Sequence, residues 1–133
     1  MYFSIKPLDN VINVNSWNYS SYLYCYEGQP NTLYFQIVKL DKNSATQPPM
    51  RYLSQASVLA VSLIFPALNS TDQFEVLATQ CFVDDKSIWK VALSSTQLPK
   101  SGAIQVKIVE DGIESNFIVK NAVSTELLSI GSC

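Results

Sequence analysis

The chain has 133 residues, enough for one domain with a single core, and its apolar fraction of 47% is ordinary for a globular protein. Only 15% of its residues are charged and the net charge is -2, so the clustered Lys and Arg that neutralise phosphates are missing and a nucleic-acid partner is excluded. No apolar run reaches the roughly 18 residues of a membrane span, and no basic segment leads into an apolar stretch near Met1, so neither a span nor a signal peptide is expected.

Residues 1–22 mix short apolar pairs such as Val11 and Ile12 with Asn and Ser, and read as an irregular N-terminal arm with room for one short strand. Residues 23–133 read as a single β-sandwich domain. β-Branched and aromatic residues mark strands over 23–26 and 32–40, separated by a Gly/Pro turn at 27–31. In the second run Leu33, Phe35 and Ile37 alternate with Tyr34, Gln36 and Val38, the pattern of a half-buried strand. The polar stretch 41–49 ends in Pro48 and Pro49 and reads as an exposed loop.

The apolar run 56–65 is long enough to be ambiguous, but its Val and Ile content and the following Pro66 favour a strand buried on both faces. After a loop at 66–73, residues 74–82 read as one further strand, closed by Asp84 and Asp85. Trp89, Val91 and Leu93 alternate with Ile88, Lys90 and Ala92, which places Trp89 in the core. Ile104, Val106 and Ile108 repeat that alternation beyond a turn at 99–102. Asp111 and Gly112 then predict a tight hairpin into a strand over 113–119, because the turn needs a positive φ that Gly tolerates. The tail 122–133 reads either as a last edge strand or as a short helical turn. The total is about seven to nine short strands at intervals of roughly 8 to 12 residues, the pattern of an all-β, immunoglobulin-like antiparallel sandwich.

The chain contains no histidine, which removes Ser-His-Asp and Cys-His catalysis and His-based zinc sites together. The pairs Lys86–Ser87 and Lys100–Ser101 are adjacent in sequence, and adjacent side chains on a strand point to opposite faces. Asp84 with Asp85, and Glu110, Asp111 and Glu114, lack the regular oxygen spacing of a calcium loop and read as solvated turns. Gly28, Gly102, Gly112 and Gly131 are too far apart for a phosphate cradle. Cys25, Cys81 and Cys133 show neither metal-knuckle nor disulfide-framework spacing and are expected to be free thiols. The sequons at Asn18 and Asn69 read as chance. No enzyme activity, cofactor or metal is expected.

Trp17, Tyr19, Tyr22, Tyr24 and Tyr26 form the most unusual local feature. Such side chains give large contact area with a polar handle, and Tyr22, Tyr24 and Tyr26 share a face if the segment is extended. Three readings stay open here: a strand with a tyrosine-rich flank, a partner interface, and a carbohydrate platform.

The run Asp85-Lys86-Ser87-Ile88-Trp89-Lys90-Val91-Ala92-Leu93, followed by Gly102 and the apolar strand 104–109, resembles immunoglobulin-like domains of phage virion proteins. These include the N-terminal domain of baseplate upper proteins and small head-associated proteins. Tyr34-Phe35-Gln36-Ile37 and Arg51-Tyr52-Leu53 look similar too. The resemblance implies a structural component of a bacteriophage particle, either capsid decoration or a neck or tail adaptor. It would be located in the virion and dock to other virion proteins in a symmetric multi-copy assembly, with no nucleic acid and no membrane as partner. Residues 1–22 are the segment expected to add a strand to a neighbour. The alternative function is a carbohydrate- or receptor-binding sandwich module.

Overall fold

Every element of the computed structural model, which describes residues 2–8, 19–40, 50–52, 60–82, 88–110 and 112–127, is a β-strand. In chain order they are β1 (Tyr2–Leu8), β2 (Leu23–Tyr26), β3 (Asn31–Leu40), β4 (Met50–Tyr52), β5 (Ala60–Pro66), β6 (Gln73–Leu77), β7 (Thr79–Phe82), β8 (Ile88–Leu93), β9 (Gly102–Glu110) and β10 (Ile113–Glu126). Among the described residues no helix is long and apolar enough to cross a membrane.

The strands form two sheets, ordered β1-β3-β8-β7 and β2-β10-β9-β5-β6, with β4 added to β3. In immunoglobulin lettering these orders correspond to A-B-E-D and A′-G-F-C-C′, so the connectivity is that of an immunoglobulin-like sandwich. The antibody hallmarks are not shared: the core tryptophan lies on β8 rather than on β5, and neither β3 nor β9 carries a cysteine. Pairing is antiparallel throughout except between β2 and β10, where Leu23 to Tyr26 run parallel to Val123 to Glu126.

The core lies between the inner faces. Leu33, Phe35 and Ile37 of β3 and Trp89, Val91 and Leu93 of β8 meet Val61, Leu63 and Phe65 of β5 and Ile104, Val106 and Ile108 of β9. Each of these strands buries alternate residues because a strand's side chains point to opposite faces. Burying each large side chain contributes roughly 1.5–3 kcal/mol. Phe74 of β6 closes one side by stacking on Phe65, ring centroids 5.3 Å apart. The hairpin between β9 and β10 forms: Glu110 pairs with Ile113 and Gly112 has φ +82°.

Three expectations are corrected. Residues 2–8 are not an arm outside the sandwich. All seven pair with β3, and Ile5 and Leu8 are buried, at 5% and 1% exposed. The expected strand 74–82 is two strands in different sheets: Ala78, small and buried, is the crossing point, and its N–H donates to Val61 O at 2.8 Å. The tail up to Glu126 is neither a separate strand nor a helical turn but the continuation of β10, which passes beyond the start of β9 to reach β2. The antiparallel sandwich is as expected, with one short parallel pair where β2 joins its sheet beside the last strand. Residues 1, 9–18, 41–49, 53–59, 83–87, 111 and 128–133 lie outside the described residues. With them lie Trp17, the loop after β3, the start of the run 56–65, the Asp84–Asp85 turn and the Lys86–Ser87 pair.

Candidate docking surface

Strand β2 sets the positions of its tyrosines through its apolar residues. Leu23 and Cys25 are fully buried in the core, so Tyr24 and Tyr26 project from the outer face of the sheet. Tyr22, just before the strand, meets Tyr24 edge-on, with ring centroids 5.9 Å apart and planes at 77°. Tyr26 is 41% exposed and Tyr22 36%. The backbone beneath Tyr26 is pinned: its N–H donates to Asn31 Oδ1 at 2.9 Å, and Asn31 Nδ2 donates to Tyr26 O at 3.1 Å and to Gln29 O at 3.2 Å. A buried asparagine therefore takes the place of a neighbouring strand and holds the exposed ring on a rigid base.

Three of the five aromatic residues nominated from sequence are thus gathered. Tyr19 is not with them. It bridges to Leu8 and lies on the other sheet, where its hydroxyl donates to Gln36 Oε1 at 2.7 Å and the Lys6 ammonium stands 5.2 Å from its ring centroid. Trp17 falls outside the described residues.

The same outer face continues across β10, β9, β5 and β6. Register places Ile118, Gln105, Ile64 and Glu75 in one row, and Asn116, Lys107, Ser62 and Leu77 in the next. Ile118 is 70% exposed and Leu77 63%. Sequence reasoning missed both; Phe117 and Val119 pack against the core, and alternation sends Ile118 outward between them. A polar relay crosses the face beside them. Gln105 Nε2 donates to Asn116 Oδ1 at 3.4 Å, Asn116 Nδ2 donates to Glu114 Oε2 at 2.9 Å, and Lys107 Nζ lies 3.5 Å from Glu114 Oε1. The Asn116 hydrogen bond, and then the Lys107 charge, hold the Glu114 carboxyl below the usual glutamate range.

Where β10 turns from β9 towards β2, its register slips between Val119 and Val123, and Asn121 has φ +54°. This bulge forms one wall of an open groove of about 340 Å³ lined by Tyr22, Ser101, Gly102, Asn121, Val123 and Ser124.

The other weighed groups do not converge. Ser101 Oγ accepts a hydrogen bond from Thr125 N at 2.9 Å, while Lys100 is tied through its backbone N–H to Pro66 O. Among the described residues no three His, Cys, Asp or Glu side chains are grouped to hold a metal ion. Cys25 is a free thiol, and burial pushes its pKa up to about 12, far from the range of a nucleophile. No family model matches the chain and no curated protein matches it, so the outer face of the β2-β10-β9-β5-β6 sheet stands as the candidate surface on its geometry alone.

Proposed function

We propose that this chain is a non-enzymatic docking module and a structural component of a bacteriophage particle, as capsid decoration or as a neck or tail adaptor. The observation that carries the docking reading is the row of outward tyrosines on β2, backed by the rigid Asn31 cap and followed across the sheet by exposed Ile118 and Leu77. Tyrosine gives large contact area at low entropic cost, and exposed aliphatic side chains beside it add apolar area for a partner to cover. The low charged fraction suits a surface shared with neighbours. The contact runs through this face rather than through residues 2–8, because β1 is already paired with β3. The phage assignment is supported by the resemblance carried on Trp89, Val91 and Leu93 of β8 and on Gly102 and Ile104 to Val109 of β9. The partners on this reading are other virion proteins in a multi-copy assembly.

The test is incorporation. In particles purified from cells that produce the protein, the chain is expected at fixed stoichiometry, and a Tyr26→Ala, Ile118→Ser variant is expected to keep its melting temperature while being lost from the particle. A chain absent from purified particles sinks the virion reading. A double variant that incorporates at the wild-type level moves the contact off this face.

A further inference from the structure

The groove beside the β10 bulge differs in chemistry from the rest of the face. Its lining offers one phenol ring, one carboxamide, two hydroxyls, a glycine and a valine, and none of the six carries a formal charge at neutral pH. The lining supplies no cationic side chain, so it offers phosphate, sulfate or carboxylate no charge-assisted donor. A protein side chain used as an anchor calls for a desolvated apolar socket, and here Val123 is itself 2% exposed and closed over. The remaining fit is to a molecule that presents hydroxyls on its edges and a patch of C–H on one face. That is an uncharged sugar ring. The volume is at the small end of the roughly 300–1,000 Å³ of small-ligand clefts.

The backbone supplies a second, independent observation. Gly102 and Asn121 both have positive φ, +125° and +54°, and both line this groove. The position where a Cβ would stand on Gly102 has nothing within 4 Å, so a ligand can approach the main chain there. Asn121 is held in its left-handed conformation inside a strand by the bulge, and bulges of this kind re-aim side chains beside binding sites. The Tyr22 ring rests edge-on against Tyr24, which supports it on one side. Ser101 Oγ already accepts from Thr125 N, which leaves its hydroxyl proton to donate.

We propose that this groove binds one neutral pyranose unit of a glycan, with Tyr22 as the stacking wall and Asn121, Ser101 and Ser124 as its hydrogen-bonding groups. The site shares Tyr22 with the docking face but uses neither Tyr26 nor Ile118, so the two readings are tested by different variants.

Amide spectra of the full chain, titrated with lactose, maltohexaose and chitotriose and with sialyllactose as the anionic counterpart, test it. At least one neutral sugar is expected to shift Gly102, Asn121 and Ser124 in fast exchange and to saturate at millimolar concentration. Tyr22→Ala is expected to weaken that binding about tenfold, and Tyr22→Phe to restore most of it, as loss and return of an aromatic contact would. Asn121→Gly keeps the left-handed backbone, so it is expected to weaken binding with the fold intact. Silence from all three neutral sugars, a preference for sialyllactose, or shifts undiminished in Tyr22→Ala would each overturn the assignment. Silence in a chain that still enters particles removes the glycan site and leaves the docking role in place.

Discussion

A glutamine with no exposed surface lies on the outer face of β3, roofed by Tyr19 from seventeen positions earlier in the chain. Alternation correctly sends Gln36 outward, but period-two reasoning sees only neighbours along one strand and cannot supply the roof. The same limit explains why Tyr19 was grouped with tyrosines that lie on another sheet. Trp89 was legible because its own strand carries the pattern, and it is 5% exposed, across from Phe35. Its indole N–H and the Nε2 of its cross-strand neighbour Gln80 are buried with no hydrogen-bond partner among the described residues. Trp89→Ala is therefore expected to lower unfolding free energy by about 3–5 kcal/mol in urea titrations, whereas Trp89→Phe should cost much less, since it also removes a buried unpaired donor. Equal midpoints for wild type and Trp89→Ala would contradict the core assignment. Cys25 makes a second residue-scale prediction. Because burial raises the native thiol pKa to about 12, the folded state keeps its proton where the unfolded chain ionises. Stability tied to this group is thus intact below the usual thiol range and declines as pH rises from there towards about 12. Alkylation of Cys25 by iodoacetamide at pH 8 should accordingly track unfolding, and rapid labelling of the native protein would show the site to be open.

At the scale of elements, the strands with strict alternation and clear turn chemistry were readable: β3, β8, β9 and the hairpin into β10. The misreadings share a physical cause, which is that continuity of a strand pattern does not report which sheet the strand belongs to. Phe74 and Val76 point inward like the residues of a single long strand, yet the chain changes sheets at Ala78, where a small side chain lets the backbone cross through the core edge. β1 was hidden because Ile5, opposite Ile37, is followed by Lys6 and Pro7, and Leu8 is buried on the other face of the strand, opposite Tyr34, so no period-two apolar pattern marks it. Its place in the fold leads to a direct test. Deleting residues 1–8 strips two buried side chains and leaves β3 an open edge, so a loss of about 3–6 kcal/mol is expected from apolar burial alone, read as a collapse of the melting transition in circular dichroism. A truncated chain that melts with the full-length protein would return these residues to the status of an arm.

For the whole molecule, the sandwich class was legible from strand spacing, while the pairings that close it were not, because they join distant sequence. Leu23 lies against Val123, and no local signal announces such a partner. The groove was equally hidden, since it needs Tyr22, the start of β9 and the bulge of β10 to meet. That same parallel pair governs how the domain resists tension. The chain enters β2 at Leu23 and leaves β10 at Glu126, which are at opposite ends of the paired segment. A pull that reaches these two points slides one strand along the other and loads all of their hydrogen bonds together, whereas pulling apart an antiparallel hairpin such as β9–β10 from its open end breaks the bonds in sequence. Force spectroscopy with handles at residues 22 and 127 should therefore give a higher rupture force than handles on β9 and β10 across their hairpin, and a lower one would mean that the short pair slips before it bears load. A domain of this build would act as a brace along the β2–β10 direction and yield when peeled from the side.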